Sequence, residues 1–406
     1  MSRRLLVVSD LAMTGFGRVG REFGARFIAA GWDLRIIGVN YRGRDGEAGA
    51  LARKGASPDE IARFLTALDM DPVLQVTIPA SAGGDTMGHN LIPPAVNGSL
   101  FGGWRPERIL LVADPEAMRQ RLAQVGDALR VPTFNYVPIE GSGLPPTYRA
   151  MWKDVVPVAM SRFGQEQLVT LLGRDVAMIT HGVSDAFKPA DREQARRKIG
   201  VTDHLVFLRT DRFVPRKNYA ALFRTMAPVL ATHPEAVLII HCSPVDEGGD
   251  LGSLLSRMPG AFEIGGVWRH PQVRFTGGHD TFRGVDDGEL AELYSAADVY
   301  VSPTRAEGFG LTLAEAAACG VPVVTTDYAA GPEAVGPGGS LARVDRLDTN
   351  QFGFEWASVD ETHFSELVVQ LADDAALRGR QGEAGREWVG RFSWDQSALD
   401  MLAVLE

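Results

Sequence analysis

Two glutamates, Glu307 and Glu315, are the residues of this sequence best suited to bind and orient a hydroxylated ligand. They flank the turn Gly308-Phe309-Gly310, after which an alanine-rich run at 311–319 predicts a helix. The start of a helix offers unpaired backbone N–H groups and a partial positive charge, which suit a phosphate or a polyhydroxyl ligand. Glycine lets such a ligand approach the backbone, and a carboxylate accepts hydrogen bonds from its hydroxyls. Because Glu315 stands among leucine and alanine, we expect it to have a specific partner rather than solvent.

Arg212 and Lys217 are the basic residues best placed to meet a phosphate. They follow a predicted strand and begin the next predicted helix, and Lys217 is the only lysine beyond Lys198. The alternative is that Arg216, Lys217 and Asn218 only solvate the start of that helix. Positive charge near a helix N-terminus is electrostatically unfavourable, which favours a specific role for the two cations.

The stretch 307–324 resembles the E-x7-E element of the retaining glycosyltransferases of family 4, which have the GT-B fold. The resemblance implies that Glu307 contacts the sugar of a nucleotide-diphosphate sugar donor and that Glu315 contacts its ribose. It also implies that Arg212 and Lys217 neutralise the donor diphosphate. Arg212, Lys217 and Glu307 are therefore the predicted catalytic residues.

The resemblance predicts a larger donor-binding set and no required metal. The backbone after Glu307 would face the sugar hydroxyls and the diphosphate, and a loop at 277–287 would read the base and so decide between UDP-, GDP- and ADP-sugars. The predicted donor-binding residues are Gly15, Gly17, Arg212, Lys217, Glu307, Phe309, Gly310, Leu311, Thr312 and Glu315.

Residues 15–20 spell the glycine pattern of a dinucleotide site, G-x-G-x-x-G. The context does not fit that function, because six residues separate the strand at 5–8 from Gly15. The second strand, at 34–40, also lacks the acidic residue that would hold a ribose. We interpret the motif as a glycine loop that opens the first helix and points into a cleft. Arg18 either supplies a charge there or is a solvated arginine.

Four further residues or motifs are candidates for the site. Glu140 occupies roughly the place of a histidine that the family often carries near the acceptor. His181 belongs to a turn that we interpret as a hinge and cleft wall, without a catalytic role. Glu333 either touches the donor or is an ordinary carboxylate at a helix start. Asp69-Met70-Asp71 matches a D-x-D metal motif only by its letters, and we interpret it as a turn.

Strand-like runs alternate with helical patterns along most of the chain, which predicts an α/β fold with two doubly wound, Rossmann-like domains facing a cleft. The predicted domains are an acceptor-side domain at 1–187 and a nucleotide-sugar donor domain at 188–390, followed by a helix at 391–406 that packs back on the first domain. The predicted strands are 4–8, 34–39, 73–78, 108–112, 132–137, 155–159 and 176–180, then 204–210, 236–241, 272–276, 298–302 and 321–325.

Composition narrows the class of protein. The net charge of −10 argues against a broad nucleic-acid-binding face. Two cysteines in 406 residues fit a reduced, cytoplasmic protein. No apolar run approaches the roughly 20 residues that span a bilayer, and the N-terminal apolar run is too short for a signal peptide.

The sequence thus predicts a retaining glycosyltransferase that uses a nucleotide-diphosphate sugar. Two alternatives stay open: a sugar-nucleotide epimerase of the same fold, and a non-catalytic sugar-nucleotide binder. The acceptor is unknown; a sugar, a lipid or another small molecule is favoured over a modified nucleic acid, and segment 40–130 is expected to form its pocket.

Overall fold

Two parallel β-sheets, each with its own set of helices, form the protein. The computed structural model describes residues 3–12, 15–53, 57–84, 87–125, 130–276 and 285–406. Strands in parallel sheets are buried on both faces, and the central strands here are accordingly continuous apolar runs such as Leu5–Val8 and Val299–Val301. None of the helices in the described ranges is long and apolar enough to cross a membrane.

The first sheet has seven strands in the order β3-β2-β1-β4-β5-β6-β7. These strands are β1 (Arg4–Asp10), β2 (Asp33–Val39), β3 (Thr77–Pro79), β4 (Arg108–Val112), β5 (Thr133–Val137), β6 (Val155–Ala159) and β7 (Ala177–Met178). Its helices are α1 (Gly15–Ala29), α2 (Gly43–Arg53), α3 (Pro58–Met70), α4 (Pro72–Gln75), α5 (Ile92–Asn97), α6 (Pro115–Val125) and α7 (Arg162–Leu172).

The second sheet has six strands in the order β10-β9-β8-β11-β12-β13. These strands are β8 (Leu205–Thr210), β9 (Ala236–His241), β10 (Val273–Phe275), β11 (Val299–Ser302), β12 (Val323–Thr326) and β13 (Gly339–Ala342). The helices are α8 (Arg192–Ile199), α9 (Tyr219–Thr232), α10 (Leu251–Leu255), α11 (Asp287–Ala296), α12 (Leu311–Ala318), α13 (Gly331–Val335), α14 (Glu361–Asp373), α15 (Ala375–Val389) and α16 (Trp394–Leu405). An antiparallel hairpin, Val344–Thr349 with Glu355–Val359, follows β13.

The predicted α/β class with parallel sheets is confirmed, and each predicted strand overlaps an observed one. The prediction for 73–78 is mostly wrong, because residues 72–75 form α4 and the strand starts only at Thr77. Asp71 explains the difference: its side chain accepts from the Val73 backbone N–H at 2.9 Å and caps α4, with Pro72 at the first helical position. The sequence also missed β13 and the hairpin after it.

The order of the second sheet creates a crevice for ligands between β8 and β11. Strand order reverses there, so the connections leaving these two neighbours diverge at their carboxyl ends. The segment that carries Arg212 and Lys217 leaves β8 at Thr210, and the segment that carries Glu307 leaves β11 at Ser302. Residues far apart in the sequence are therefore brought to one edge of the sheet.

The chain crosses between the two halves at two adjoining places. Val183 lies at the first crossing and Phe392 at the second. The Val183 backbone N–H donates to the Phe392 carbonyl, with 3.1 Å between N and O. Beyond it, α16 packs on α1, and the Ser397 hydroxyl donates to the Thr180 carbonyl at 2.7 Å. The last helix thus lies on the half of the molecule that contains the first sheet.

His181 lies in an aromatic cluster at this double crossing. Its ring stacks on Trp394 at 5.4 Å between centroids and contacts Phe309 at 4.7 Å. Its Nδ1 lies 2.9 Å from the Tyr136 hydroxyl, which also donates to the Ile179 carbonyl. Burial lowers the pKa of His181 to about 3.

Helix α15 holds α12 in place through direct contact between backbones. Gly382 faces the Gly320 carbonyl at the end of α12, where a Cβ at 382 would lie only 2.2 Å from that oxygen. Gly379, one turn earlier on the same helix, has no atom within 4 Å of the place a Cβ would take. Only the first of these glycines is required by packing.

We expect Gly382→Ala and Gly379→Ala to shift stability in opposite directions. An alanine at 379 should raise the free energy of unfolding by about 0.5–1 kcal/mol, because glycine is costly inside a helix. An alanine at 382 should lower it by about 1–3 kcal/mol, because helix and loop must move apart. Urea unfolding of the two variants measures this, and shifts of the same sign would contradict it.

We also expect His181 to make stability fall in acid. Above pH 6.5 the imidazole is neutral in the folded and unfolded chains. Below it the unfolded chain takes up a proton that the buried ring refuses, so up to about 1.4 kcal/mol is lost per pH unit down to about pH 3. His181→Phe keeps the aromatic packing and removes the titration. The stability difference between the wild type and this variant should therefore change between pH 7 and pH 5; a constant difference would show that the ring does not resist protonation.

Candidate active site

A cavity of about 580 Å³ lies between the two halves and collects most of the predicted site residues. We call it the cleft cavity. Its volume is in the range of small-molecule sites. The predicted residues on its wall are Gly15, Arg212, Lys217, Glu307, Phe309, Gly310, Leu311, Thr312 and Glu315. Unpredicted neighbours on the same wall include Asp211, Arg216 and Asp287.

Glu307 is a buried carboxylate held by two cations. Lys217 Nζ lies 2.8 Å from Oε1 and 3.0 Å from Oε2, and Arg216 Nη1 lies 2.9 Å from Oε2. Only 4% of Glu307 is exposed. Burial by itself raises the pKa of this carboxyl, but Lys217 and Arg216 outweigh it and hold the pKa below its ordinary value. Glu307 is therefore ionised at neutral pH.

A second set of charged residues, Asp211 and Arg209, holds Lys217 in place. Its Nζ lies 2.7 Å from Asp211 Oδ1, while Asp211 Oδ2 lies 2.8 Å from Arg209 Nη2. Arg209 is fully buried on β8 and also donates to the Lys217 carbonyl at 3.0 Å. Both partners of the lysine ammonium thus belong to the second half of the chain.

Arg216 is the functional residue that sequence reasoning missed. The sequence suggests for it only the solvation of a helix start, yet its Nη2 lies 2.8 Å from Glu140 Oε1 and its Nη1 contacts Glu307. The signal was present as two unusual features: consecutive basic residues before a helix, and Glu140 in place of the family's histidine. Neither feature alone shows that the two side chains meet.

Arg212 lies on the cavity wall but turns toward acidic residues. Its guanidinium contacts Asp246 Oδ1 at 2.8 Å and Glu247 Oε1 at 2.9 Å. Arg212 and Lys217 thus line the same cavity, with Arg212 held by acidic residues. The cation beside Lys217 at the buried carboxylate is Arg216.

Glu315, in the second turn of α12, has the specific partner that its apolar surroundings predict. Tyr294 of α11 donates its hydroxyl to Glu315 Oε2 at 3.0 Å, and Arg18 Nε lies 3.6 Å from Oε1. Burial raises the pKa of Glu315 to about 7. A hydroxylated ligand can replace these contacts with its own.

Arg18 crosses from the first half to the second, which decides between the two interpretations of this residue. Its guanidinium lies 2.7 Å from Asp287 Oδ1 and stacks over the Phe187 ring at 5.0 Å. It is thus a partly buried charge in the cleft cavity and not a solvated arginine.

The start of α12 faces the cavity as the sequence predicts. Gly310 has φ +96°, a conformation that favours glycine, and caps the helix without a side chain. The first backbone N–H groups of the helix have no intrahelical acceptor by geometry. The Thr312 hydroxyl donates to Asp211 at 3.3 Å, which ties the helix start to the charged residues that hold Lys217.

The two glycines of the first helix that the sequence predicts at the donor site, Gly15 and Gly17, have different surroundings. A Cβ on Gly15 would lie 3.5 Å from Leu311 Cδ1, so Gly15 faces the start of α12 across the cavity. A Cβ on Gly17 would lie 1.7 Å from the Ala12 carbonyl oxygen. Gly17 is required by packing against the preceding loop, and its contact with the donor stays a prediction.

The remaining candidates lie at the edges of the site or outside it. His181 reaches the cavity wall from its aromatic cluster. Glu333 accepts from the backbone N–H groups of Arg162 and Phe163 at 2.9 and 2.7 Å, so it caps α7 of the other half. Most of the predicted base-reading loop, 277–284, lies outside the described residues. Within the described ranges, no group of three His, Cys, Asp or Glu side chains could hold a metal ion.

Comparison with known proteins agrees with this geometry. Residues 204–374 match the family model of the glycosyl transferases group 1. Over 216 residues the chain is 32% identical to a GDP-mannose-dependent monoacylated alpha-(1-6)-phosphatidylinositol monomannoside mannosyltransferase of Corynebacterium glutamicum, covering 51% of this chain and 49% of that protein. It is 32% identical over 268 residues to D-inositol 3-phosphate glycosyltransferase 2 of Catenulispora acidiphila, covering 62% and 57%. The chain thus spans about half the length of the curated relatives it matches.

Solved structures extend the likeness to both halves. Sucrose-phosphate synthase from Thermosynechococcus elongatus superposes with a TM-score of 0.68 at 18% identity, covering 99% of this chain and 98% of that one. Anabaena HepE, solved in complex with UDP and glucose, gives 0.69 at 14% identity, with 99% of each chain covered. At such identities the likeness concerns the fold, which is GT-B. Residues 204–374, which carry Glu307, Glu315 and Lys217, are the part of the chain that matches the family model.

Proposed function

We propose that this chain is a retaining glycosyltransferase that transfers a sugar from a nucleotide-diphosphate sugar to an acceptor hydroxyl. The observation that carries the proposal is the pair of buried carboxylates around the start of α12. Glu307 is held ionised by cations and Glu315 faces a tyrosine, and both lie on the wall of the cleft cavity. The match of residues 204–374 to the family model supports the same activity.

In this proposal each group has one task toward the donor. Glu307 accepts hydrogen bonds from sugar hydroxyls and Glu315 accepts them from the ribose. The backbone of Phe309, Gly310, Leu311 and Thr312 and the side chain of Lys217 face the diphosphate. Arg212 joins them on release from Asp246 and Glu247. Anions at a helix N-terminus are stabilised by its dipole and its free N–H groups.

The leaving group governs the chemistry. As the bond between the anomeric carbon and the phosphate oxygen breaks, negative charge grows on the nucleoside diphosphate, so fixed cations and N–H groups stabilise the transition state more than the ground state. The acceptor oxygen bonds to the anomeric carbon on the face that the phosphate leaves. The acceptor's proton passes to the departing phosphate oxygen, and the configuration is retained.

The surroundings of Glu307 favour this route over a covalent sugar–enzyme intermediate. Both of its carboxylate oxygens accept hydrogen bonds from Lys217 or Arg216. A carboxylate whose lone pairs are engaged by two cations is a poor nucleophile. Closure of the two halves around the donor would exclude water and limit hydrolysis.

The relatives suggest which ligands to try first. One is named for GDP-mannose and others for inositol phosphate acceptors, and HepE was solved with UDP-glucose. We therefore propose a UDP-, GDP- or ADP-sugar as donor and a hydroxyl of a sugar, inositol or lipid headgroup as acceptor. The buried free thiols of Cys242 and Cys319 suit a reducing cytoplasm, where we place the reaction in this proposal.

The proposal predicts that at least one nucleotide-diphosphate sugar binds and is slowly hydrolysed. Calorimetry with UDP-, GDP- and ADP-sugars, followed by detection of released nucleoside diphosphate, measures both. The anomer of the released sugar should match that of the donor when it is trapped early by NMR. Binding of no member of the panel would refute the proposed activity.

The two glutamates should differ in which part of the donor they affect. Glu315→Gln should weaken the free nucleoside diphosphate and the donor alike, by about tenfold or more, because an amide leaves the ribose hydroxyls one acceptor oxygen where the carboxyl group has two. Glu307→Gln should weaken the sugar-bearing donor by a similar factor and leave the free nucleoside diphosphate almost unchanged. Equal losses for both ligands in both variants would contradict these roles, with thermal melting as the check on folding.

A further inference from the structure

Arg216 is shared by two carboxylates that come from opposite halves of the molecule. Its Nη2 lies 2.8 Å from Oε1 of Glu140, which follows β5 of the first sheet. Its Nη1 lies 2.9 Å from Oε2 of Glu307, which follows β11 of the second. The planar guanidinium presents donors on two edges, so it can bind both carboxylates at once, as a lysine ammonium cannot do with the same geometry.

The backbone around Glu140 is pressed against the loop that carries Glu307. A Cβ on Gly308 would lie 2.3 Å from Pro138 Cβ and 3.5 Å from Glu140 Cγ. The Glu140 carbonyl accepts from Trp356 Nε1 at 2.8 Å. Glu140 therefore reaches Arg216 because the two halves are together, and separating them would remove it.

Lys217 lacks this dependence. Its ammonium is held by Asp211 and Glu307, which both belong to the second half. Lys217 is thus held to Glu307 within one half, whereas Arg216 is held both by its own half, at Glu307 and the Ala306 carbonyl, and by Glu140 across the cleft. Of the two cations that bind Glu307, Arg216 also binds a carboxylate of the first half, and Lys217 is held within the second half.

We infer that Arg216 is a positioning residue that orients Glu307 for the donor sugar, and that Glu140 makes this orientation depend on the closing of the two halves. The inference rests on the proposed function, in which Glu307 binds the sugar. With the halves together, Glu140 fixes the guanidinium against Glu307. With the halves apart, Arg216 loses one of its two carboxylates, and its guanidinium is held only on the edge that binds Glu307 and the Ala306 carbonyl. The sugar end of the site is then complete only in the closed form.

Electrostatics agree with a role for Arg216 between these carboxylates. Partial burial raises the pKa of Glu140, and the charge of Glu307 raises it further, while Arg216 lowers it. Without the guanidinium, two like charges would face each other across the cleft. Arg216 therefore offsets the repulsion that would oppose closing of the two halves, and it also binds a carboxylate from each half.

The test compares Glu140→Gln with Glu333→Gln in the full chain. Both remove a carboxylate charge from a contact between the halves, but Glu333 binds the backbone at the start of α7 and does not reach Arg216 or Glu307. The probes are a nucleoside diphosphate and the matching nucleotide sugar that binds in the panel above. We expect Glu140→Gln to weaken the nucleotide sugar about tenfold and the nucleoside diphosphate less than about twofold. Glu333→Gln should leave the ratio of the two affinities unchanged.

A double variant separates action through Arg216 from a general effect on folding or closure. In an Arg216→Gln background, Glu140→Gln should cause no further loss in the binding of the nucleotide sugar, because the residue through which it acts is gone and the repulsion between Glu140 and Glu307 is relieved. Additive losses, or equal losses for both probes in Glu140→Gln, would overturn the positioning role while leaving the glycosyltransferase proposal intact. Failure of every nucleotide sugar to bind the wild type would overturn both.

Discussion

Glu307 stays ionised in the interior because the ammonium of Lys217 and the guanidinium of Arg216 both lie within hydrogen-bonding distance of it. An isolated carboxylate at this depth would be protonated or would destabilise the fold by several kcal/mol, since a buried charge left without its partner costs about 3–5 kcal/mol. The rest of the site satisfies this one constraint. Asp211 and Arg209 hold the lysine, and Glu140 holds the arginine.

This charge network links several segments at the carboxyl edge of the second sheet. Arg209 is anchored on β8, Lys217 on the turn after it, and Glu307 on the loop after β11, so the charge network joins neighbouring strands at the point where their order reverses. Thr312 extends the network to the start of α12 through Asp211. Groups fixed by one another do not have to reorganise when charge develops on a ligand, which is the physical basis of electrostatic catalysis.

Local sequence patterns predicted most of the fold and part of the site. Alternating apolar strands and helices predicted the parallel sheets, and the Gly308–Gly310 turn before an alanine-rich run predicted the helix start beside Glu307. The contacts that the sequence did not predict join distant segments of the chain. The pairing of Arg216 with Glu140 joins residues that are 76 positions apart and follow strands of different sheets. The attachment of Arg212 to Asp246 involves a short two-stranded ribbon with no clear periodicity. The requirement for glycine at 17 likewise comes from the folded loop, since a Cβ there would meet the Ala12 backbone.

The hydrogen bond from Val183 to Phe392 joins the two connections between the halves side by side. Two strands of chain fastened together at one place act as a pivot, so the halves can rotate about this point without sliding past each other. The neutral aromatic rings of His181 and Trp394 stack beside this pivot, so its surroundings are apolar. Ionic strength should therefore influence the cleft through the charges at its mouth, while the axis on which it opens stays indifferent to salt.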